Sequence, residues 1–119
     1  MKKKNDVILR KMIKYIDNLK KYAKECNGDF KQFRKNTTII FASSFCIEQI
    51  GEIQKKLETE IKTRFKDVNW KDLQYTRNRH AHHYGDIDPE QIWSTMTEYM
   101  PDLQKKLKAI RKEIKEELE

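Results

Sequence analysis

The sequence predicts an all-α protein, a bundle of four to five helices that forms a single domain over residues 1–119. Apolar residues recur at intervals of three and four along most of the chain, which is the spacing of amphipathic helices. Only three glycines and two prolines occur, too few for the many tight turns of an all-β fold. No segment shows the period-two alternation of a half-buried strand.

The first helix is expected to begin after Asn5 or Asp6 and to end at Asn27-Gly28, which is a helix stop signal. Asp29 is then placed to cap a short helical turn that carries two phenylalanines. The apolar stripe of the first helix and the two phenylalanines are Ile8, Leu9, Met12, Ile13, Ile16, Leu19, Phe30 and Phe33.

A long helix is predicted from about Thr37 to Leu57. Its upstream part, Thr38 to Cys46, is apolar nearly all round, which is typical of a helix in the centre of a bundle or at an oligomer interface. Gly51 lies inside this helix, where glycine costs roughly 1 kcal/mol relative to alanine. We therefore expect another helix to approach closely there.

Residues 58–68 are predicted to connect this helix to the next, with room for one helical turn. Asn69 is a cap for a helix that begins at Trp70 and ends at Gly85. The segment 88–91, Asp-Pro-Glu-Gln, predicts the start of the last helix. Pro101 should kink or split that helix. Its apolar positions are Ile92, Trp93, Met96, Met100, Leu103, Leu107, Ile110 and Ile114, and both tryptophans are expected in the core.

The chain is strongly basic, with a net charge of +7 and a pI of about 9.4. This charge suits a nucleic-acid-binding protein, but it equally fits a lysine-rich solvated surface. Cys26 and Cys46 are isolated in helical patterns and are interpreted as small buried side chains in a reducing compartment. No apolar run is long enough to span a bilayer and no signal peptide is recognisable, so a cytoplasmic location and no membrane partner are expected.

Residues 77–84, Arg-Asn-Arg-His-Ala-His-His-Tyr, contain all three histidines of the chain. Histidine transfers protons near neutral pH, and arginine presents donors that match a phosphate. Cleavage of RNA without a metal needs a base, an acid and a cation that stabilises the phosphorane. His82 could be the base or the acid, Arg77 the cation, and Asn78 an orienting group. One such histidine is too few for both proton transfers, so a dimer is chemically attractive.

Two other interpretations of this cluster remain open. His80 and His83 are three residues apart and could share a metal ion with Asp86 or Asp88, although no cysteine is close and no long-range ligand pair is evident. The cationic side chains could also stabilise the carboxyl end of their helix without any chemical role.

The spacing Arg77, His82, Tyr84 reads R-x4-H-x-Y and resembles the motif of the HepT-like toxins of the HEPN superfamily. The similarity extends along nearly the whole chain. It includes Ile50-Gly51-Glu52 in the long helix, Asn69-Trp70 before Arg77-Asn78, the turn Tyr84-Gly85-Asp86-Ile87-Asp88, Ile92-Trp93, and Leu103 after Pro101. The chain departs from the family at His80, where an aliphatic residue is usual, and at His83, where glycine is frequent.

The resemblance implies a HEPN-like helical fold, a homodimer or higher assembly, and a metal-independent endoribonuclease that needs no cofactor. It implies the toxin of a type VII-like toxin–antitoxin pair, whose partner is a nucleotidyltransferase antitoxin of the MNT type that attaches AMP to Tyr84. Arg79, His80 and His83 are then expected to contact the RNA. The alternatives are a non-catalytic HEPN module that binds nucleotides or scaffolds the nucleotidyltransferase, and a plain nucleic-acid-binding bundle.

Overall fold

The computed structural model describes residues 2–73 and 88–118, and within these ranges the chain is all-α, as predicted, without a β-strand. The described α-helices are α1 (Lys2–Glu25), α2 (Phe30–Lys35), α3 (Thr37–Ile53), α4 (Thr59–Arg64), α5 (Pro89–Ser94) and α6 (Met100–Leu118). A 3₁₀ turn, Gln54–Lys56, follows α3, and a π-helical turn, Thr95–Tyr99, joins α5 to α6.

Helix α1 organises the described bundle, because it packs against both α3 and α6. The π-helical turn also packs on α1, and α5 packs on α2 and α3. The apolar stripes predicted for the first and last helices are almost entirely buried, although Ile13 and Trp93 are only partly so. The largest fully buried side chains are Phe33, Leu9, Met12, Ile16, Leu19, Ile47, Ile50, Leu73, Ile92, Met96, Met100 and Leu107.

The predicted stop of α1 and the predicted cap of α2 are both confirmed. Asn27 and Gly28 have φ angles of 55° and 64°, the left-handed conformation that ends many helices. The Gly28 amide donates to the carbonyl of Ala23 at 3.0 Å, which satisfies one of the last carbonyls of α1. Asp29 then accepts a hydrogen bond from the Lys31 amide at 2.9 Å and caps α2.

The predicted start of α1 is wrong, since the helix already includes Lys2 and does not wait for Asn5 or Asp6. Asparagine often caps the start of a helix, but the Asn5 side chain bonds beside a different helix, α4. Its side chain is 3% exposed, and its Oδ1 accepts a hydrogen bond from the amide of Glu58, the residue before α4, at 3.2 Å. The Asn5 side chain therefore holds the chain just before α4 and does not mark the start of α1.

Helix α3 begins at Thr37 as predicted, capped by Asn36, and its α-helical part ends at Ile53 rather than Leu57 because the last turn tightens into the 3₁₀ turn. Its apolar upstream part is not wholly interior. Phe41 and Phe45 are 56% and 53% exposed, and an oligomer interface on this helix stays a prediction. Gly51 is buried, and the close approach of another helix to it stays a prediction.

Pro101 splits the last helix, as predicted, and the break takes the form of the π-helical turn just upstream of it. Proline has no N–H, so it cannot donate to the carbonyl four residues earlier. The chain adapts before the proline, and the Met100 amide donates to the carbonyl of Thr95, five residues back. The wider turn places Tyr99 where it can reach the segment that leads to the predicted motif.

Candidate active site and the elements that hold it

The predicted site lies in residues 74–87, outside the part of the chain that the structure describes, so its roles stay predictions. The structure does show how each end of this segment is attached to the bundle: residues 70–73 on one side and Asp88 on the other. The predicted residues concerned are Arg77, Asn78, Arg79, His80, His82, His83 and Tyr84, together with the stop signal Gly85 and the alternative metal ligand Asp86.

The entry to the segment is a capped helical start, as the sequence predicted. The Oδ1 of Asn69 accepts a hydrogen bond from the Asp72 amide at 3.0 Å, and residues 70–73 are helical. Trp70 is 9% exposed, and its indole N–H donates to the carbonyl of Phe65 at 3.1 Å. Leu73 is 1% exposed and belongs to the core. The first turn before the motif is thus held by a cap, an indole hydrogen bond and apolar burial.

A second attachment joins this entry turn to the π-helical turn. The Tyr99 hydroxyl donates a hydrogen bond to the Asp72 carboxylate, and the pKa of Tyr99 is raised to about 12. Burial is the largest cause, because it disfavours the phenolate, and the negative charge of Asp72 adds to it. Sequence reasoning missed this pair, since neither residue stands in a motif and the π-helical turn that brings them together was not foreseen.

The exit of the segment is equally well anchored. Asp88 caps α5 by accepting a hydrogen bond from the Glu90 amide at 3.0 Å, and Pro89 occupies the first turn, both as predicted. One turn later the Trp93 ring packs on Phe33, with ring centroids 4.9 Å apart. Helices α5 and α2 are thereby joined, and the chain leaves the motif segment on a fixed path.

The described residues themselves offer little chemistry of their own. Among them, no group of three or more His, Cys, Asp or Glu side chains could hold a metal ion. Cys46 is 3% exposed, and burial raises the pKa of its thiol to about 11, which leaves it protonated and unreactive near neutral pH. In residues 2–73 and 88–118, no helix combines the length and the apolar character that crossing a membrane requires.

Comparison with known proteins finds similarity to one family and to relatives that carry ribonuclease names. A family model described as "Ribonuclease HepT-like" matches residues 12–110, a range that includes the whole of the predicted motif. A protein of Methanocaldococcus jannaschii named "Putative RNase" is 28% identical over 88% of this chain and 89% of its own length. A protein of Thermococcus cleftensis named "Probable ribonuclease HepT" is 26% identical over 94% of this chain and all of its own.

A third relative, a protein of Caldanaerobacter subterraneus named "Putative RNase", is 31% identical over 68% of this chain and 72% of its own length. No solved structure matches the chain at a significant level.

Proposed function

The chain belongs to the HepT-like ribonuclease family of the HEPN superfamily, and from this we propose that it is a metal-independent endoribonuclease. We further propose that it acts in the cytoplasm as the toxin of a type VII-like toxin–antitoxin pair. The observation that carries the proposal is the family match over residues 12–110, which spans the R-x4-H-x-Y residues of a chain with a net charge of +7.

In the proposed reaction the 2′-oxygen of the RNA attacks its own phosphodiester. His82 removes the proton of the 2′-hydroxyl or protonates the departing 5′-oxygen. Arg77 stabilises the negative charge that accumulates on the phosphorane, and Asn78 orients the phosphate or the imidazole. The P–O bond to the 2′-oxygen forms as the bond to the 5′-oxygen breaks, so the products are a 2′,3′-cyclic phosphate and a free 5′-hydroxyl.

A dimer would supply the second proton-transfer group. Phe41 and Phe45 are four residues apart on α3 and therefore share one face of the helix. Their exposure of 56% and 53% leaves two large aromatic rings in solvent, a feature that marks interaction surfaces. We propose that this face packs on a second copy and that the two-fold assembly pairs the two Arg77/His82 sets.

The flanking residues complete the proposed site. Arg79, His80 and His83 would contact the RNA, chiefly through its phosphates.

The antitoxin, an MNT-type nucleotidyltransferase, would catalyse attack of the Tyr84 hydroxyl on the α-phosphorus of ATP, with loss of the phenolic proton and departure of pyrophosphate. The resulting AMP group is a bulky anion beside the arginines, so it would block the site of an RNA phosphate and neutralise the charge that attracts it.

Inducible expression of this chain with and without an MNT-type partner, followed by RNA profiling, tests the proposal. We expect growth arrest and new RNA 5′ ends from the wild-type chain, and neither from the His82→Ala variant. Lys108→Gln, at an exposed position of α6, is a surface control and should behave as wild type. An intact RNA pool during arrest, or arrest that persists in His82→Ala, would instead favour the non-catalytic HEPN module.

A further inference from the structure

A groove of about 490 Å³ runs between α1 and the downstream end of α3 with its 3₁₀ turn. Its volume lies within the roughly 300–1,000 Å³ that is usual for ligand sites. The described residues that line it belong to α1, α3 and the 3₁₀ turn. Its lining residues are Ile8, Lys11, Lys14, Tyr15, Asn18, Gln49, Ile53 and Lys56.

The charged residues among the described lining are all lysines. Lys11 and Lys14 on α1 and Lys56 on the 3₁₀ turn are exposed at its rim, and none of them is ion-paired with a carboxylate of the described residues. The acidic residues of α3, Glu48 and Glu52, do not line the groove. Three uncompensated ammonium groups around one concavity create a local positive potential that attracts a polyanion.

The rest of the lining suits the bases of that polyanion. Tyr15 is partly buried and makes a T-shaped contact with Phe45, with ring centroids 6.4 Å apart. An aromatic ring beside a basic groove is a surface on which any base can stack. Asn18 and Gln49 add amide groups that both donate and accept hydrogen bonds, as the edges of an unpaired base require.

We propose that the groove binds a single-stranded segment of the RNA substrate, with its phosphates on the three lysines and a base against Tyr15. The inference rests on the proposed function, because it takes RNA to be the substrate. Charge complementarity selects this occupant. The second copy proposed to pack on Phe41 and Phe45 is disfavoured as the occupant of the groove itself, because apposing two such grooves would bring their lysines together.

The first test measures the affinity for a fluorescently labelled single-stranded RNA by anisotropy over a series of salt concentrations, in a His82→Ala background so that the RNA stays intact. The groove variant replaces Lys11, Lys14 and Lys56 by glutamine. Each lost phosphate contact should reduce the slope of log K against log salt by about 0.7, so the slope should become shallower by about 2. The affinity should fall by about tenfold or more at moderate salt.

The matched control replaces three exposed lysines of α6 by glutamine and so carries the same change in net charge. It should lose less than about threefold in affinity, because its lysines do not line the groove. Equal losses in the two variants would overturn the inference, since they would mean that only net charge attracts RNA. The control lysines are Lys105, Lys108 and Lys112.

A second test locates the RNA without any substitution in the groove. RNA bound to the protein should protect Lys11, Lys14 and Lys56 from acetylation, read by mass spectrometry, and leave Lys105 and Lys108 reactive. Protection of the groove by the antitoxin but not by RNA would overturn the inference and identify a protein-binding surface. If the wild-type chain cleaves RNA while the groove stays unprotected, the inference is refuted but the proposed function stands. If the chain neither binds nor cleaves RNA, the proposed function is refuted as well.

Discussion

Replacing Tyr99 by phenylalanine tests whether the hydrogen bond to Asp72 ties the π-helical turn to the entry of the motif segment. The substitution keeps the ring and its packing and removes only the hydroxyl. A hydrogen bond to a charged group contributes about 1.5–3 kcal/mol. Tyr99 is only partly buried, so we expect the lower end, a loss of about 1.5 kcal/mol in the free energy of unfolding at pH 8.

The raised pKa makes this difference depend on pH in a defined direction. The ordinary pKa is 10.0 and the value in the folded chain is about 12. Between these pH values the unfolded chain has lost the phenolic proton of Tyr99, while the folded chain keeps it. The contribution of Tyr99 to the free energy of unfolding is therefore complete below pH 10 and declines as the pH rises. The full decline over about two pH units is on the order of 3 kcal/mol, and roughly half of it is reached at pH 11.

Urea unfolding followed by circular dichroism at pH 8 and pH 11 measures the effect. Lysines also lose protons at pH 11, but both proteins contain the same lysines, so their effect cancels in the difference between wild type and Tyr99→Phe. We expect the advantage of the wild type over Tyr99→Phe to shrink from about 1.5 kcal/mol to near zero. Asp72→Asn should lower the pKa of Tyr99, because it removes a negative charge. The reasoning is refuted if the wild-type advantage is the same at both pH values.

Three further predictions concern other parts of the chain. Asn5→Ala should lower the free energy of unfolding by about 1 kcal/mol in urea melts, because the Glu58 amide loses its acceptor; an unchanged midpoint would contradict this. Phe41→Asp combined with Phe45→Asp should convert a dimer into a folded monomer of 14.5 kDa by light scattering, whereas a wild-type monomer with full activity would exclude the proposed interface. Tyr84→Phe should stay toxic and escape covalent silencing, and an unmodified Tyr84 in a neutralised complex would show by mass spectrometry that the antitoxin masks the site instead.

Local signals predicted the fold well because they act between residues that are near in sequence. The turn at Asn27-Gly28 and the caps Asp29, Asn69 and Asp88 were all predicted, and all are present. The apolar spacing likewise identified nearly all of the buried positions of α1 and α6. These features depend on backbone conformation and helical period, which the sequence carries directly.

The features that sequence reasoning missed are those that depend on tertiary contacts. Asn5 caps a helix whose start is distant in the sequence, and no local pattern reveals that partner. The π-helical turn before Pro101 was anticipated only as a kink or a split, so the contact of Tyr99 with Asp72 was not foreseen. The exposure of Phe45 was not predicted either, because hydrophobic periodicity does not distinguish a buried apolar face from an exposed one.

The site itself was predicted from residue chemistry and family resemblance, and residues 77–84 lie outside the described ranges. The structure nevertheless describes the two anchors of that segment. Their caps were predicted from the sequence, but the link from Asp72 to Tyr99 was not. Assignment of roles among the three histidines depends on geometry that neither the motif spacing nor the family match supplies.

The central claim is that this chain cleaves RNA without a metal and that His82 takes part in the reaction. The most direct measurement incubates the purified chain with RNA in excess EDTA and determines the product ends, comparing the wild type with single alanine variants of His80, His82 and His83. We predict 2′,3′-cyclic phosphate ends from the wild type and a loss of at least about 100-fold in rate for His82→Ala, within the range that general acid–base catalysis contributes. Strict dependence on a divalent ion, with His80→Ala and His83→Ala as the inactive variants, would contradict the account and support a metal site in its place.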